Sequence, residues 1–374
     1  MSLLQLDDDL ISQVSAELAA LVASEFIPPR ITPHPWDKWT ARSGLQKCIR
    51  RGLVDQAIAC ASRLAVLDLP YLWRTLNVIA LEDVGAGDPD TITWTRAIMA
   101  DKAVFSRTPP LYVLYALVAR MCRAPKSRAM CEMSVAMEMG DLNLFHAGSN
   151  WTVDQIASYA VNGTMQHSFV ACCHLSNKLP ETVGFNPSVT KQVKLAAIHQ
   201  MREATALTPQ ARRAASYIFA KPTDTMSFSA WGVLRETHAA ANEPTTVVLD
   251  AIPTSATMHG LPTATWDMHT RNGKIAIKAF YTSLAKNYPL VAAINPDKAG
   301  RALGAAVFIE EGGLVDRRVA SPAFTALKDW QDEVFAMASG CLSPKHALLL
   351  REVVRNEIPR LNEKREWVSK VFDR

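Results

Sequence analysis

Leu64–Pro89, LAVLDLPYLWRTLNVIALEDVGAGDP, decides how the chain is read. From Leu64 to Leu81 the stretch is strongly apolar, and Gly85-Ala86-Gly87-Asp88-Pro89 then stops the helix with flexible residues and a proline. Glu82 and Asp83 fall at its C-terminal end, where the helix dipole disfavours negative charge. They need a partner: a salt bridge, a hydrogen bond to a neighbouring loop, or a catalytic or metal-binding role.

Outward from this stretch the pattern stays helical. Leu6, Leu10, Val14, Leu18, Leu21 and Val22 recur at helical spacing between Leu3 and Phe26, and Asp7 to Asp9 load the first turn with negative charge. Pro28, Pro29, Pro33 and Pro35 then impose an extended connector through Trp36 and Trp39, which read as packing anchors ahead of the alternative, ligand stackers. Helices are expected at Leu111–Met121, Ala129–Met139 and Ser168–Lys178, where His174 reads as a satisfied core residue. Phe324–Met337 is a further helix, and Ser343-Pro344 caps a last one from Lys345 towards Ile358, leaving the closing residues at the surface. Thr245–Asp250 has β-branched, strand-like content, and Ala305–Val319 reads as a hairpin turned at Gly312-Gly313. The expected fold is mainly α, a multi-helix globular bundle with a small β-hairpin element in the C-terminal half. Three parts are expected: 1–42, helix and connector; 43–140, a helical domain; and 141–374, a helical domain with basic helices, the β element and the candidate site.

About half of the residues, 49%, are apolar, enough for a sizeable core. The net charge of +4 names no nucleic-acid partner by itself, so local charge has to carry that argument. Seven cysteines without C-x-x-C or Cys/His spacing predict free buried thiols in a reducing cytoplasm. The acidic N-terminus is unlike a secretory signal, and no apolar run is expected to span a bilayer. The expectation is a cytoplasmic protein without a membrane partner.

Three segments match a known family in order and separation. SGLQKCIRRGLVDQAI (Ser43–Ile58), YLWRTLNVIALEDVGAGDP (Tyr71–Pro89) and APKSRA (Ala124–Ala129) carry Gln46, Lys47, Arg50, Glu82, Asp83, Gly85, Asp88, Pro89, Pro125, Lys126 and Ser127. Residues 43–139 thereby resemble the C-terminal helical region of replication-associated recombination ATPases of the RarA/MgsA type, in the clamp-loader clade. The resemblance implies a collar-like helical domain tied to DNA metabolism, with a homo-oligomer through that region as the assembly it would support. The chain has no G-x-x-x-x-G-K-[ST] loop, so ATP hydrolysis is not implied.

WDMHTRNGK (Trp266–Lys274) concentrates chemistry as no other stretch does. Asp267, His269, Thr270, Arg271 and Lys274 stand ahead of an apolar run, Ile275–Tyr281, where a helix N-terminus would favour an anion. Asp267 and His269, two apart, would share a site on extended backbone, and Arg271 and Lys274 could hold phosphate. Lys191, Lys194, Arg212 and Arg213 make the stretch Pro187–Pro222 basic, as phosphate-backbone contacts require.

The expected function is a DNA-binding enzyme acting on a modified base by N-glycosidic bond cleavage with base flipping, in phage defence, DNA modification or DNA repair, with no cofactor and no metal. Asp267 would stabilise the sugar cation or activate water, His269 would bind or protonate the leaving base, and Glu82 and Asp83 would form a second acidic patch. The layout also resembles helical DNA-glycosylase-related enzymes of phages and phage-defence loci. Under the alternative, Asp267 caps a helix, Thr270 satisfies a backbone amide, Arg271 pairs with an acidic residue such as Asp250, and the protein is a non-catalytic DNA-binding or oligomeric scaffold. A third reading places a divalent metal on Asp267, His269 and His259 for phosphodiester hydrolysis.

Overall fold

The apolar stretch lies within one long helix, Val54–Ile79, that bends where Asp68 leaves helical dihedrals (φ −165°, ψ 85°) two residues ahead of Pro70. The proline ring has no N–H and clashes with the carbonyl four residues back, so the helix cannot run straight through it. Asp68 Oδ1 accepts from Tyr71 N and so restarts the helix beyond the break. The helix does not end at Leu81. It runs into a single π-helical turn, Ala80–Val84, which carries Glu82 and Asp83. Gly85 leaves the turn at φ +52°, where a Cβ would collide with the Ser127 carbonyl, so only glycine fits.

The structure is a computed structural model that describes residues 8–140, 142–176, 179–184, 186, 189–190, 192–193, 196, 199–200, 207–220, 226–238, 245–253 and 256–372. Its helices in order are α1 (Asp8–Glu25), α2 (Lys38–Arg50), α3 (Val54–Ile79), α4 (Pro89–Ala100), α5 (Pro110–Arg123), α6 (Ala129–Gly140), α7 (Leu142–Gly148), α8 (Val153–Asn162), α9 (Met165–Ser176), α10 (Pro209–Ala220) and α11 (Met226–His238). They continue with α12 (Arg271–Leu284), α13 (Pro289–Ala292), α14 (Pro296–Val307), α15 (Pro322–Ala338), α16 (Pro344–Asn356) and α17 (Ile358–Phe372). Two short antiparallel pairs complete it: β1 (Thr246–Val248) with β4 (Arg318–Ala320), and the hairpin β2 (Thr257–Met258) with β3 (Leu261–Pro262). The fold is mainly α, with its small β elements in the C-terminal half.

One apolar core runs from Val14 on α1 to Leu234 on α11 and takes in Met258, Leu261, Trp266 and Val319. A second, smaller core joins α12, α14, α15, α16 and α17 through Ile277, Phe280, Leu303, Leu350 and Leu361. Helix α7 lies just beyond the expected division at residue 140, and the first core extends on both sides of it.

Three expectations differ from the structure. The hairpin is not at Ala305–Val319: the alanine-rich run to Val307 continues α14, and Phe308–Gly312 forms a second π-helical turn. The hairpin turns instead at His259-Gly260, both left-handed (φ 49° and 78°). Ser343 does cap its helix, accepting from His346 N, but α17 follows, and the closing residues are surface on one face only: Glu363, Glu366, Trp367 and Lys370 are exposed while Leu361, Arg365 and Val368 are buried. Val54–Gly87 is long and apolar enough to cross a membrane by composition, contrary to the expectation that no run would be. Within this structure the stretch carries the Asp68 break and the fully buried, ion-paired Asp83.

The cysteines are free, and all but Cys131 are buried. His174, as expected, is buried and hydrogen-bonded to the Phe145 carbonyl at 3.0 Å.

Candidate functional site

Trp266–Gly273 is built as a tight helix start. Asp267 Oδ1 accepts the backbone N–H of His269 at 2.9 Å, and Thr270 N donates to the Asp267 carbonyl at 3.1 Å. Thr270 then caps α12 by accepting from Gly273 N at 3.0 Å. Gly273 sits so close to the Asp267 carbonyl that any Cβ would clash. The other oxygen, Asp267 Oδ2, lies 2.5 Å from Lys47 Nζ on α2, with both side chains buried.

Lys47 belongs to a helix face that gathers both acidic turns. Gln46 Nε2 donates to Asp83 Oδ2 at 3.0 Å, and Arg50 Nε donates to Asp83 Oδ1 at 2.6 Å. Arg50 also reaches Glu82 Oε1 at 3.1 Å and, across to the second π-helical turn, the Gly312 carbonyl at 2.6 Å. Arg128 adds a bond to the Gly313 carbonyl at 3.1 Å, and the Phe308 ring lies 5.4 Å from the Arg50 guanidinium and 5.2 Å from that of Arg128. On the far side Arg365 grips Glu311 (2.7 Å) and the Trp266 carbonyl (3.0 Å). A buried guanidinium is tolerated only when its donors are met, and Arg50 and Arg365 each meet theirs on two segments at once.

Beside this network a cavity of about 110 Å³ is lined by Trp39, Arg42, Ser43, Gln46, Lys47, Arg50, Glu82, His269 and Phe308. Burial pushes the Asp267 carboxyl up, but Lys47 and His269 outweigh it and hold it below the usual carboxylate range. Partial desolvation on the side facing Phe308 and the turn pushes the His269 imidazole down, against the pull of Asp267, and so favours the neutral ring at pH 7, although the residue as a whole is exposed. Burial likewise depresses the Lys47 ammonium despite its Asp267 partner. A neutral imidazole, a carboxylate (Glu82), a buried lysine and two aromatic rings facing one small space can hold a flat polar ring and handle one proton.

The structure thus brings together segments far apart in sequence: Asp267 and His269 meet Glu82 and Asp83 through α2. Asp267 itself is 0% exposed and stands behind Lys47 rather than in the cavity wall. Thr270 is spent as a cap. Arg271 and Lys274 are exposed at the start of α12 and do not line the cavity; Asp250, suggested as a partner for Arg271, instead pairs with Arg318 at 2.8 Å. Arg213 is tied to Glu17 and Asp90, and Arg212 donates to the Leu207 carbonyl, away from the cavity. Lys191 and Lys194 lie outside the described residues. His259 bonds Ser369 and does not line the cavity, and among the described residues no group of three or more His, Cys, Asp or Glu is placed to hold a metal ion. A larger groove of about 520 Å³ runs past Glu17, Asp90, Arg120 and Arg213, whose charges already pair with one another or with Glu25 and Asp88.

The residues missed in the sequence are Trp39, Arg42 and Phe308 in the cavity and Arg365 behind it. Trp39, expected as a packing anchor, is 57% exposed, whereas Trp36 fits that expectation at 6%. A signal for Trp39 was available. Trp36–Gly44 reads WDKWTARSG and Trp266–Gly273 reads WDMHTRNG, one inserted residue apart, and each is followed at nearly the same interval by an acidic pair, Glu82-Asp83 and Glu310-Glu311. The structure repeats the correspondence. Asp37 Oδ1 accepts from Trp39 N as Asp267 Oδ1 does from His269 N. Arg63 Nε donates to the Trp36 carbonyl as Arg365 Nε does to that of Trp266. Both acidic pairs ride on π-helical turns.

No protein-family model matches the chain, and no match was found among curated proteins or solved structures.

Proposed function

We propose that the cavity between α2 and the Asp267–His269 turn is a catalytic pocket for N-glycosidic bond cleavage at a modified base flipped out of DNA. The observation that carries this reading is that His269, Glu82, Lys47 and the rings of Trp39 and Phe308 line one space, although they come from opposite halves of the chain. In the proposed reaction the C1′–N bond to the base breaks and a bond from C1′ to a water oxygen forms. The water gives one proton to the departing base nitrogen. Glu82, the carboxylate in the wall, faces the cationic sugar, and neutral His269 hydrogen-bonds the leaving base. Asp267 positions rather than reacts: its charge holds Lys47 and its Oδ1 fixes the His269 backbone. Arg42 at the cavity and Arg271 and Lys274 outside it are the cations offered to phosphate. The resemblance of residues 43–139 to the RarA/MgsA collar points to the same class of partner.

The test is release of free base from base-modified duplex, followed by chromatography. Release by the wild-type protein, lost in His269→Ala, supports the reading; equal release by His269→Ala removes it. A second reading rests on one observation: Lys47, Arg50 and Arg365 are each matched by Asp267, Asp83 and Glu311, as in a purely structural junction. It makes the protein a non-catalytic DNA-binding scaffold of replication-recombination type, which binds DNA in a salt-dependent manner and releases no base.

A further inference from the structure

Two observations about the repeated segments go beyond the resemblance of their sequences. First, they touch. His34, two residues before Trp36, lies tilted against His259 with centroids 4.8 Å apart, and each histidine lies beside its own buried tryptophan, Trp36 at 5.9 Å and Trp266 at 6.2 Å. Ser43 Oγ donates to the Thr265 carbonyl at 2.7 Å, and Gly44 leaves no room for a Cβ against Leu261 and Cys60. Second, the residue two places after each motif aspartate, Trp39 in one copy and His269 in the other, lines the same cavity. Each also meets a second ring edge-on, Trp39 with Tyr71 at 6.1 Å and His269 with Phe308 at 5.7 Å.

We infer that the two motif copies form the opposing walls of one ligand site, and that Trp39 is its stacking residue for the flat face of a nucleobase. The inference rests on the nucleotide reading given above. The physical case is the cost of leaving Trp39 as it is. A ring 57% exposed at a cavity mouth keeps apolar area in water, and Asp37 pins its backbone by accepting from both Trp39 N and Thr40 N at 2.8 Å. Lys38 flanks it, its Nζ 6.0 Å from the ring centroid but held by Asp68 at 2.8 Å, so Arg42 in the cavity wall is the cation beside the indole. An exposed aromatic with a cation alongside is the arrangement that grips an unpaired base and its phosphate together. The duplication accounts for the division of labour. The shared position carries a hydrogen-bonding imidazole in one copy and a broad apolar ring in the other, so one wall reads the edge of the base and the other covers its face.

Fluorescein-labelled decathymidylate and a base-free sugar–phosphate ten-mer separate stacking from charge. Trp39→Ala is expected to bind decathymidylate at least about tenfold more weakly than wild type, Trp39→Phe within about threefold, and all three proteins to bind the base-free oligomer equally. Because Trp39 is largely exposed, thermal melts of the variants are expected to overlay that of the wild type. The inference is overturned if Trp39→Ala binds decathymidylate as wild type does, if it loses the base-free oligomer to the same extent, or if wild type binds neither oligomer at low salt. Base release is a separate readout: normal stacking behaviour without release would remove the catalytic reading and leave this one standing.

Discussion

Lys47 Nζ and Asp267 Oδ2 lie 2.5 Å apart with both side chains buried, joining helix α2 of one half to the helix start of the other. Removing one partner strands the other as an uncompensated buried charge, which costs about 3–5 kcal/mol. Lys47→Met and Asp267→Asn are each expected to lower unfolding stability by amounts of that order in urea melts. The double variant is expected to lose clearly less than the sum, because it leaves no orphan. Strict additivity would mean the two groups do not interact.

His269 and Asp267 set an acid-side dependence. Partial desolvation lowers the His269 imidazole below its ordinary 6.5, so the unfolded chain takes up its proton first as pH falls. Stability therefore declines from about pH 6.5 downward and stops declining once the folded ring has titrated. Asp267, depressed by Lys47 against the effect of burial, contributes stability that is present above the ordinary 3.8 and is lost as pH falls through its lower folded value. In His269→Gln the first window is expected to become shallower, with the similarly depressed His174 still contributing, and the second to remain; an unchanged slope just below pH 6.5 contradicts the assignment.

Arg365 should behave as a core residue although it lies near the end of the chain. Its guanidinium is buried between Glu311 and the Trp266 carbonyl, so Arg365→Met is expected to cost about 3–5 kcal/mol and to loosen the Asp267–His269 turn. Hydrogen exchange at the His269 and Thr270 amides reports the loosening. A variant as stable as wild type would show that α17 is dispensable to the site.

Gly85 gives a backbone test. Its φ of +52° and the Ser127 carbonyl leave no space for a methyl group, while Ser127 N donates to the Val84 carbonyl at 2.9 Å and ties the two segments together. Gly85→Ala is expected to cost at least about 2 kcal/mol, more than the roughly 1 kcal/mol typical of a point substitution. A thermal melt within a degree of wild type would refute the close packing.

The helices and their caps were legible because local chemistry decides them: the Ser343 cap, the helix over Leu111–Met121 and the strand at Thr246–Val248 all follow from neighbouring residues. The π-helical turns were not, because a widened turn depends on the arginines that reach it, and those lie far away in sequence. FIEEGG therefore looked like a hairpin turn, although Arg50 and Arg365 hold it as part of a helix end. The meeting of Asp267 with the Glu82-Asp83 turn could be posed from sequence as a question, but not the order of the groups, with Lys47 in front and Asp267 behind. Trp39 was misjudged because an aromatic after prolines reads as packing until its WD partner near His269 is noticed.

The most direct measurement is incubation of the protein with base-modified duplex DNA, with and without EDTA, followed by alkali. The account predicts strand breaks that appear only after alkali, persist in EDTA and fall at least about 100-fold in His269→Ala, with a smaller loss in a folded Asp267→Asn variant. Absence of alkali-dependent breaks, direct EDTA-sensitive breaks, or full activity in both variants would contradict it.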